Sequence, residues 1–299
     1  MGLLRSVQED VLHRLGRVGV AARHAVESLL AGQHRSIHRG LSVEFAGHRP
    51  YQLGDDLRHL DWRVYARTDR YDIKVFEEET RLRAHIVVDY SGSMAYGEGT
   101  TKLEYARMLA AALAFLMVRQ GDAVGLVQCD STVRSMVPPV STMGHLLTLL
   151  EHLESEQAGG DTALGTVIDD IAERIQRRGL VIVITDAFDD PERLVRSLRH
   201  LRHRKQDVRL FQIIDRAECD FPFSGAYDFI GMEHEPRLRV DGDRARRLYQ
   251  QQLESHHQTV AAGCHAAGIQ VERIATDEDL ALSLVRALTR AAPAAGGRR

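Results

Sequence analysis

The sequence predicts an α/β fold organised on a doubly wound, mostly parallel sheet, and three observations lead there. Two short unbroken apolar runs, Ile86–Val88 and Val181–Ile184, have the pattern of strands buried on both faces, and each ends abruptly in an acid, Asp89 and Asp186. Between and after them, apolar stripes at helical spacing return, as in Leu103, Ala106, Leu109, Ala110, Leu113, Leu116 and Met117. Strands alternating with helices of this length call for parallel pairing, because each crossover needs a covering helix.

The chain of 299 residues is 44% hydrophobic and 27% charged, with a formal net charge of −3. That allows a sizeable core and supplies no basic field for nucleic acid or an anionic membrane. The longest apolar stretches, around Leu109–Val118 and Leu180–Ile184, fall well short of the roughly 20 residues of a membrane span. The first residues turn acidic at Glu9 and Asp10, where a signal peptide turns apolar, so a cytoplasmic protein is expected. Cys129, Cys219 and Cys264 are widely spaced and read as reduced structural thiols.

In chain order, residues 5–31 carry a helical stripe, read as one amphipathic helix or two broken near Gly16 and Gly19, packing on the main domain. Residues 36–80 form a clasp segment. Within it Asp55, Asp56, Arg58, Asp61, Arg63 and Arg67 are expected to pair around a buried Trp62, and Glu77–Glu79 to be a solvated strand end. The domain proper is expected over 81–290. Its predicted elements are a strand ending at Asp89, a helix over 102–120 closed by Gly121, strands at 123–128 and 133–137, and helices over 143–153 and 163–178. Pro138-Pro139 is read as breaking the second of those strands. There follow a strand over 180–185, a helix begun by Asp189, Asp190 and Pro191 and reaching His203, and a strand over 208–214. Pieces at 227–232 and 237–240 suggest a hairpin on the sheet edge. Asp241-Gly-Asp243 is read as a turn and N-cap for a helix over 244–267, on which His256 and His257 read as a solvated face, and a strand over 269–274 and a helix over 278–289 close the domain. The small, basic tail 291–299 is expected to be disordered.

The chemistry concentrates at strand ends. Asp89-x-Ser91-x-Ser93 presents a carboxylate and two hydroxyls on a tight loop, and Gly92 permits the turn. Such hard oxygen donors suit Mg²⁺ or Mn²⁺. Gly159-Gly160-Asp161-Thr162 and Thr185-Asp186 are further stretches that can converge on Asp89.

This order, Asp-x-Ser-x-Ser, then Gly-Gly-x-Thr, then a strand ending in Thr-Asp, resembles the metal-ion-dependent adhesion site of von Willebrand factor A domains. Together with Gly54-Asp-Asp56, Arg58, Asp61-Trp-Arg63 and the rest of 36–80, it resembles a bacterial family of unknown function with a von Willebrand factor A-like core, typically encoded beside MoxR-type AAA+ ATPases. The resemblance implies that Asp89, Ser91, Ser93, Thr162 and Asp186 surround one divalent cation, Mg²⁺ or Mn²⁺. It assigns no role to Asp161, the variable position. Asp215 and Glu218 resemble a structural Asp-x-x-Glu turn. It further implies a non-enzymatic adaptor that works with a MoxR-type ATPase on client proteins, one coordination position being left to a partner's carboxylate. Without a cation, Asp89 and Asp186 should repel each other and raise the pKa of at least one of them. Two alternatives stay open: a Mg²⁺-dependent phosphohydrolase with Asp89 as nucleophile, although Ser91 stands where a second acid is usual, and a scaffold with a vestigial metal motif.

Overall fold

The computed structural model describes residues 17–32, 45–51, 61–76, 82–233 and 237–289. The chain divides into two compact units, 1–32 with 82–299, and 33–81. The first helix, grouped by sequence with the clasp, therefore belongs with the sheet. The tail 291–299 and the stretches Gly54–Arg58 and Glu77–Glu79 lie outside the described residues.

Helix α1 (Arg17–Gly32) opens the described chain. The smaller unit contains β1 (Phe45–Pro50), α2 (Trp62–Thr68) and β2 (Asp72–Phe76), the two strands pairing antiparallel. Trp62 is 63% exposed, which corrects its expected burial. It stands on the first turn of a seven-residue helix with its ring edge-on to Tyr65, while Asp61 takes a local role, accepting a hydrogen bond from the Val64 N–H. Asp61 thus helps start a short helix, and the indole is left in solvent.

The larger unit continues with β3 (Arg83–Asp89), a 3₁₀ turn (Gly92–Ala95), α3 (Lys102–Arg119), β4 (Ala123–Cys129), β5 (Val133–Val140), α4 (Met143–Ser155) and α5 (Leu164–Arg174). Then come β6 (Leu180–Thr185), α6 (Pro191–His203), β7 (Asp207–Ile214), α7 (Arg216–Asp220), β8 (Ala226–Phe229), β9 (Leu238–Asp241), α8 (Gly242–Ala266), β10 (Gln270–Ala275) and α9 (Leu280–Thr289). Six strands form one sheet in the order β10-β7-β6-β3-β4-β5, parallel except at the β5 edge.

Residue alternation explains why the central strands are apolar throughout. Ile86 and Val88 of β3, with Ile182 and Ile184 of β6, enter a core shared with α1, α3, α4 and α9. Val87, Val181 and Val183 point the other way, into a core shared with α5, α6 and α8. A strand covered on both faces has no polar face to show. Each fully buried aliphatic side chain contributes about 1.5–3 kcal/mol relative to exposure. The first positions of α3 are set by Thr101, whose hydroxyl accepts from the Glu104 N–H while the Glu104 carboxylate accepts from the Thr101 N–H.

Two local expectations are corrected. Pro138 and Pro139 do not end β5, which runs on to Val140; a register shift opposite Gly125 places them on the sheet edge, where a missing N–H costs no ladder bond. The 226–241 hairpin does not extend the sheet edge but forms a two-stranded sheet of its own, β8-β9. An aromatic cluster diverts it: Phe221 lies against Tyr249 of α8 at 4.7 Å and Phe229 at 5.7 Å between ring centroids, and Phe223 meets Phe229 at 5.2 Å.

Candidate functional site

In open α/β sheets ligands bind beyond the carboxyl ends of the strands, where the strand order reverses. Here the order reverses between β3 and β6, the two strands that end in Asp89 and next to Asp186. Asp89 is 1% exposed and Asp186 and Ser91 are fully buried. One Asp89 oxygen accepts the Ser91 N–H at 2.9 Å, and the other accepts the Thr185 hydroxyl at 2.6 Å. Burial first, and then the neighbouring Asp186 charge, push the Asp89 carboxyl up to about 6, the direction anticipated for two unneutralised acids side by side.

The distant loops do meet. The Gly92 N–H donates to the Gly160 carbonyl at 3.0 Å, and the Gly159 N–H donates to the Tyr90 carbonyl at 2.9 Å. Arg134 of β5 reinforces the seam by donating to the Gln157 and Gly159 carbonyls and to Asp130. Thr162 follows on this loop, and the Ser91 and Ser93 hydroxyls lie 3.2 Å apart.

Of four further participants, Glu218 shows in the sequence only as part of a turn and the other three carry no local signal. Lys102, the first residue of α3, is fully buried, and its ammonium donates to Asp186 at 2.7 Å and to Glu218 at 2.6 Å. Burial alone would lower the Lys102 pKa, but the two carboxylates outweigh it and raise it. Glu218, beyond its capping box with Asp215, is raised by burial against the pull of Lys102. Glu233, from the bend after β8, accepts from Thr162 twice: the hydroxyl at 2.5 Å and the N–H at 2.9 Å. Ala187 takes a left-handed backbone, φ 60°, immediately after Asp186, and His256 Nε2 bonds its carbonyl at 2.8 Å. His256 and His257 therefore do not form a solvated face; His257 is 2% exposed. Asp190 caps α6 as expected, and Asp189 accepts from the Gly165 N–H.

The donor set fits a hard divalent cation in two respects. Ligands about 2.1 Å from an octahedral ion lie about 3.0 Å apart along an edge, close to the Ser91–Ser93 separation of 3.2 Å. Among the described residues the two buried acids face one buried ammonium, at Asp186, and Asp89 has none among its hydrogen-bond partners. Among the described residues no three His, Cys, Asp or Glu side chains gather as a metal-holding group, so hydroxyls must complete any such site.

Beside α7, an apolar cavity of about 500 Å³ is lined by Tyr96, Phe221, Phe223, Phe229 and Leu248, among others.

Among the described residues no helix is long and apolar enough to cross a membrane. The strand order, with helices on both faces, makes the fold von Willebrand factor A-like. Solved structures similar to this chain include BatB from Bacteroides thetaiotaomicron (17% identity, TM-score 0.46, covering 70% of this chain and 98% of that one). Another is an aerotolerance-related membrane protein from Bacteroides fragilis (19% identity, TM-score 0.47, 70% and 97%). A third is the SpRpn10 VWA domain (13% identity, TM-score 0.42, 69% and 95%). The cytoplasmic placement expected from the sequence is corrected here: the similar structures include ones described as an aerotolerance-related membrane protein and a membrane spanning protein, so composition and the first residues do not fix a compartment. Uncharacterized proteins of Mycobacterium tuberculosis and Mycobacterium bovis are 27% identical over 279 residues, covering 89% of this chain and 85% of theirs. The family model described as "Protein of unknown function DUF58" matches residues 47–259, and the chain belongs to that family.

Proposed function

We propose that this chain is a non-enzymatic protein-interaction adaptor that captures a partner's acidic side chain at the β3–β6 switch point, with Asp89, Ser91, Ser93, Thr162 and Asp186 holding Mg²⁺ or Mn²⁺. The partner is a MoxR-type AAA+ ATPase or its client, as the family resemblance implies. One observation carries the reading: two buried acids at the reversal of strand order, beside two hydroxyls 3.2 Å apart.

When bound, the cation supplies a Lewis-acid position for an incoming carboxylate. The chain's own residues do the rest. Thr185 and the Ser91 N–H fix the Asp89 carboxylate, and the Phe188 N–H and Lys102 fix that of Asp186. The two cross-loop backbone bonds tie the Gly159-Gly160 loop, which leads into Thr162, to the loop that carries the serines.

The test is co-purification of the ATPase on immobilised chain with Mg²⁺ or with chelator, for wild type and Asp89→Ala. Recovery that needs Mg²⁺ and is lost in the variant is expected. Equal recovery from both proteins overturns the proposal, and unchanged binding and melting temperature on replacing Ser91 and Ser93 by Ala would favour a scaffold.

A further inference from the structure

Glu233 engages Thr162, one of the five residues assigned to the cation above. Its carboxylate grips Thr162 at two points, the hydroxyl at 2.5 Å and the N–H at 2.9 Å, across 71 positions of sequence. The bend that carries it also lies on the Asp-x-Ser-x-Ser loop: a Cβ on Gly92 would come within 2.3 Å of the Met232 carbonyl oxygen and 3.1 Å of Glu233 Cγ. Two independent contacts therefore seat the same bend, one on the Thr162 loop and one on the loop between the serines. Gly92 is needed here for close approach, its absent side chain leaving room for the Met232 backbone.

The electrostatics give the arrangement its meaning. Asp89, Asp186 and Glu218 already outnumber Lys102 at this end of the sheet. A further acid is repelled by that field unless specific donors hold it, and Thr162 provides two. A seat that holds a carboxylate against its surroundings is a carboxylate-binding seat, whichever chain supplies the group.

We propose that the Thr162 seat is the docking position for an acidic peptide segment and that the chain closes it on itself with Glu233, which such a segment must displace. This rests on the acid-capture reading above and adds the occupant and the competition. An internal ligand lowers the apparent affinity of an external one by the fraction of molecules in which the seat is open. Removing Glu233 should therefore tighten binding without adding a contact.

The test uses the full chain as wild type, Glu233→Ala and Asp89→Ala, in Mg²⁺. The probe is a blocked peptide with the bend's own sequence, Phe-Ile-Gly-Met-Glu, and a control in which Gln replaces Glu. Two readouts are taken: hydrogen exchange at the Thr162 amide, and peptide affinity by fluorescence anisotropy. In Glu233→Ala, Thr162 exchange is expected to accelerate about tenfold or more, and the Glu peptide to bind about fivefold tighter than to wild type, with the Gln control weak on both. Gly92→Ala, which displaces the bend but keeps Glu233, should shift both readouts the same way. Unchanged Thr162 exchange overturns the closure. Equal peptide affinity for wild type and Glu233→Ala, with binding lost in Asp89→Ala, overturns the competition while acid capture stands. No binding of the Glu peptide to any of the proteins overturns acid capture and this inference together, whatever the exchange shows.

Discussion

Lys102 offers the sharpest test of the site's electrostatics. Its side chain is 1% exposed, as closely enclosed as the Asp186 side chain, at 0%, to which it donates at 2.7 Å. Glu218 completes the triad at 2.6 Å with a side chain 10% exposed. Lys102→Met keeps the length of the stem and its packing near Phe188 and Tyr96, and deletes the charge. What remains is a fully buried carboxylate without its counter-charge, and breaking such a pair from one side costs about 3–5 kcal/mol. In a domain of this size 1 kcal/mol corresponds to about 2–4 °C, so the melting temperature should fall by about 6–20 °C. Adding Asp186→Asn removes the orphaned charge, and the double variant should recover about 2 kcal/mol or more over the sum of the single losses. Thermal and urea unfolding in chelator, with all four proteins of the cycle, measure both quantities. A single-variant loss under about 1 kcal/mol, or strict additivity in the cycle, would refute the view that this ammonium neutralises the buried acids.

Two further outcomes follow from buried groups elsewhere. His85 and His257 are each lowered to about 4, chiefly by burial, then by Arg83 for His85 and by Arg273 and His256 for His257. Between about pH 6.5 and 4 the unfolded chain therefore binds more protons at these sites than the folded one, so their contribution is complete above pH 6.5 and is lost as pH falls toward 4. At pH 5 the loss is on the order of 2 kcal/mol per histidine, while Asp89, raised to about 6, acts in the opposite sense below pH 6; the difference between wild type and His257→Asn in urea midpoints at pH 7.5 and pH 5 isolates the histidine. Ala187 holds φ 60° directly after Asp186, a conformation costing an L-residue about 1 kcal/mol, so Ala187→Gly should be no less stable than wild type at equilibrium, where replacing Ala by Gly at a negative φ destabilises. A loss above about 1 kcal/mol on that substitution would show that the strain estimate is wrong.

The sheet was legible in the sequence because its signal is local. A strand covered on both faces reads as an apolar run, and Ile86–Val88 and Val181–Ile184 lie where that pattern places them, with the acids at their ends. The capping residues Asp190 and Asp241 were legible for the same reason, since a cap bonds within three residues of itself. Lys102 was not, because its partners are 84 and 116 positions away and nothing around it distinguishes it from any lysine opening a helix. Glu233 was hidden likewise, by 71 positions and by a hairpin whose aromatic residues attach it to α8 instead of the sheet edge. Trp62 and the His256-His257 pair misled in opposite directions: average burial tendencies placed the indole inside and the imidazoles outside, and packing reversed both.

The seam between the two rim loops is made of main chain on both sides, Gly92 to Gly160 and Gly159 to Tyr90. A side-chain substitution that keeps the backbone path leaves such bonds intact, but at Gly92 the path itself forbids one, since a Cβ would come within 2.3 Å of the Met232 carbonyl oxygen. The rim's tolerance of substitution is thus set by the clearance around its backbone rather than by the donors it presents.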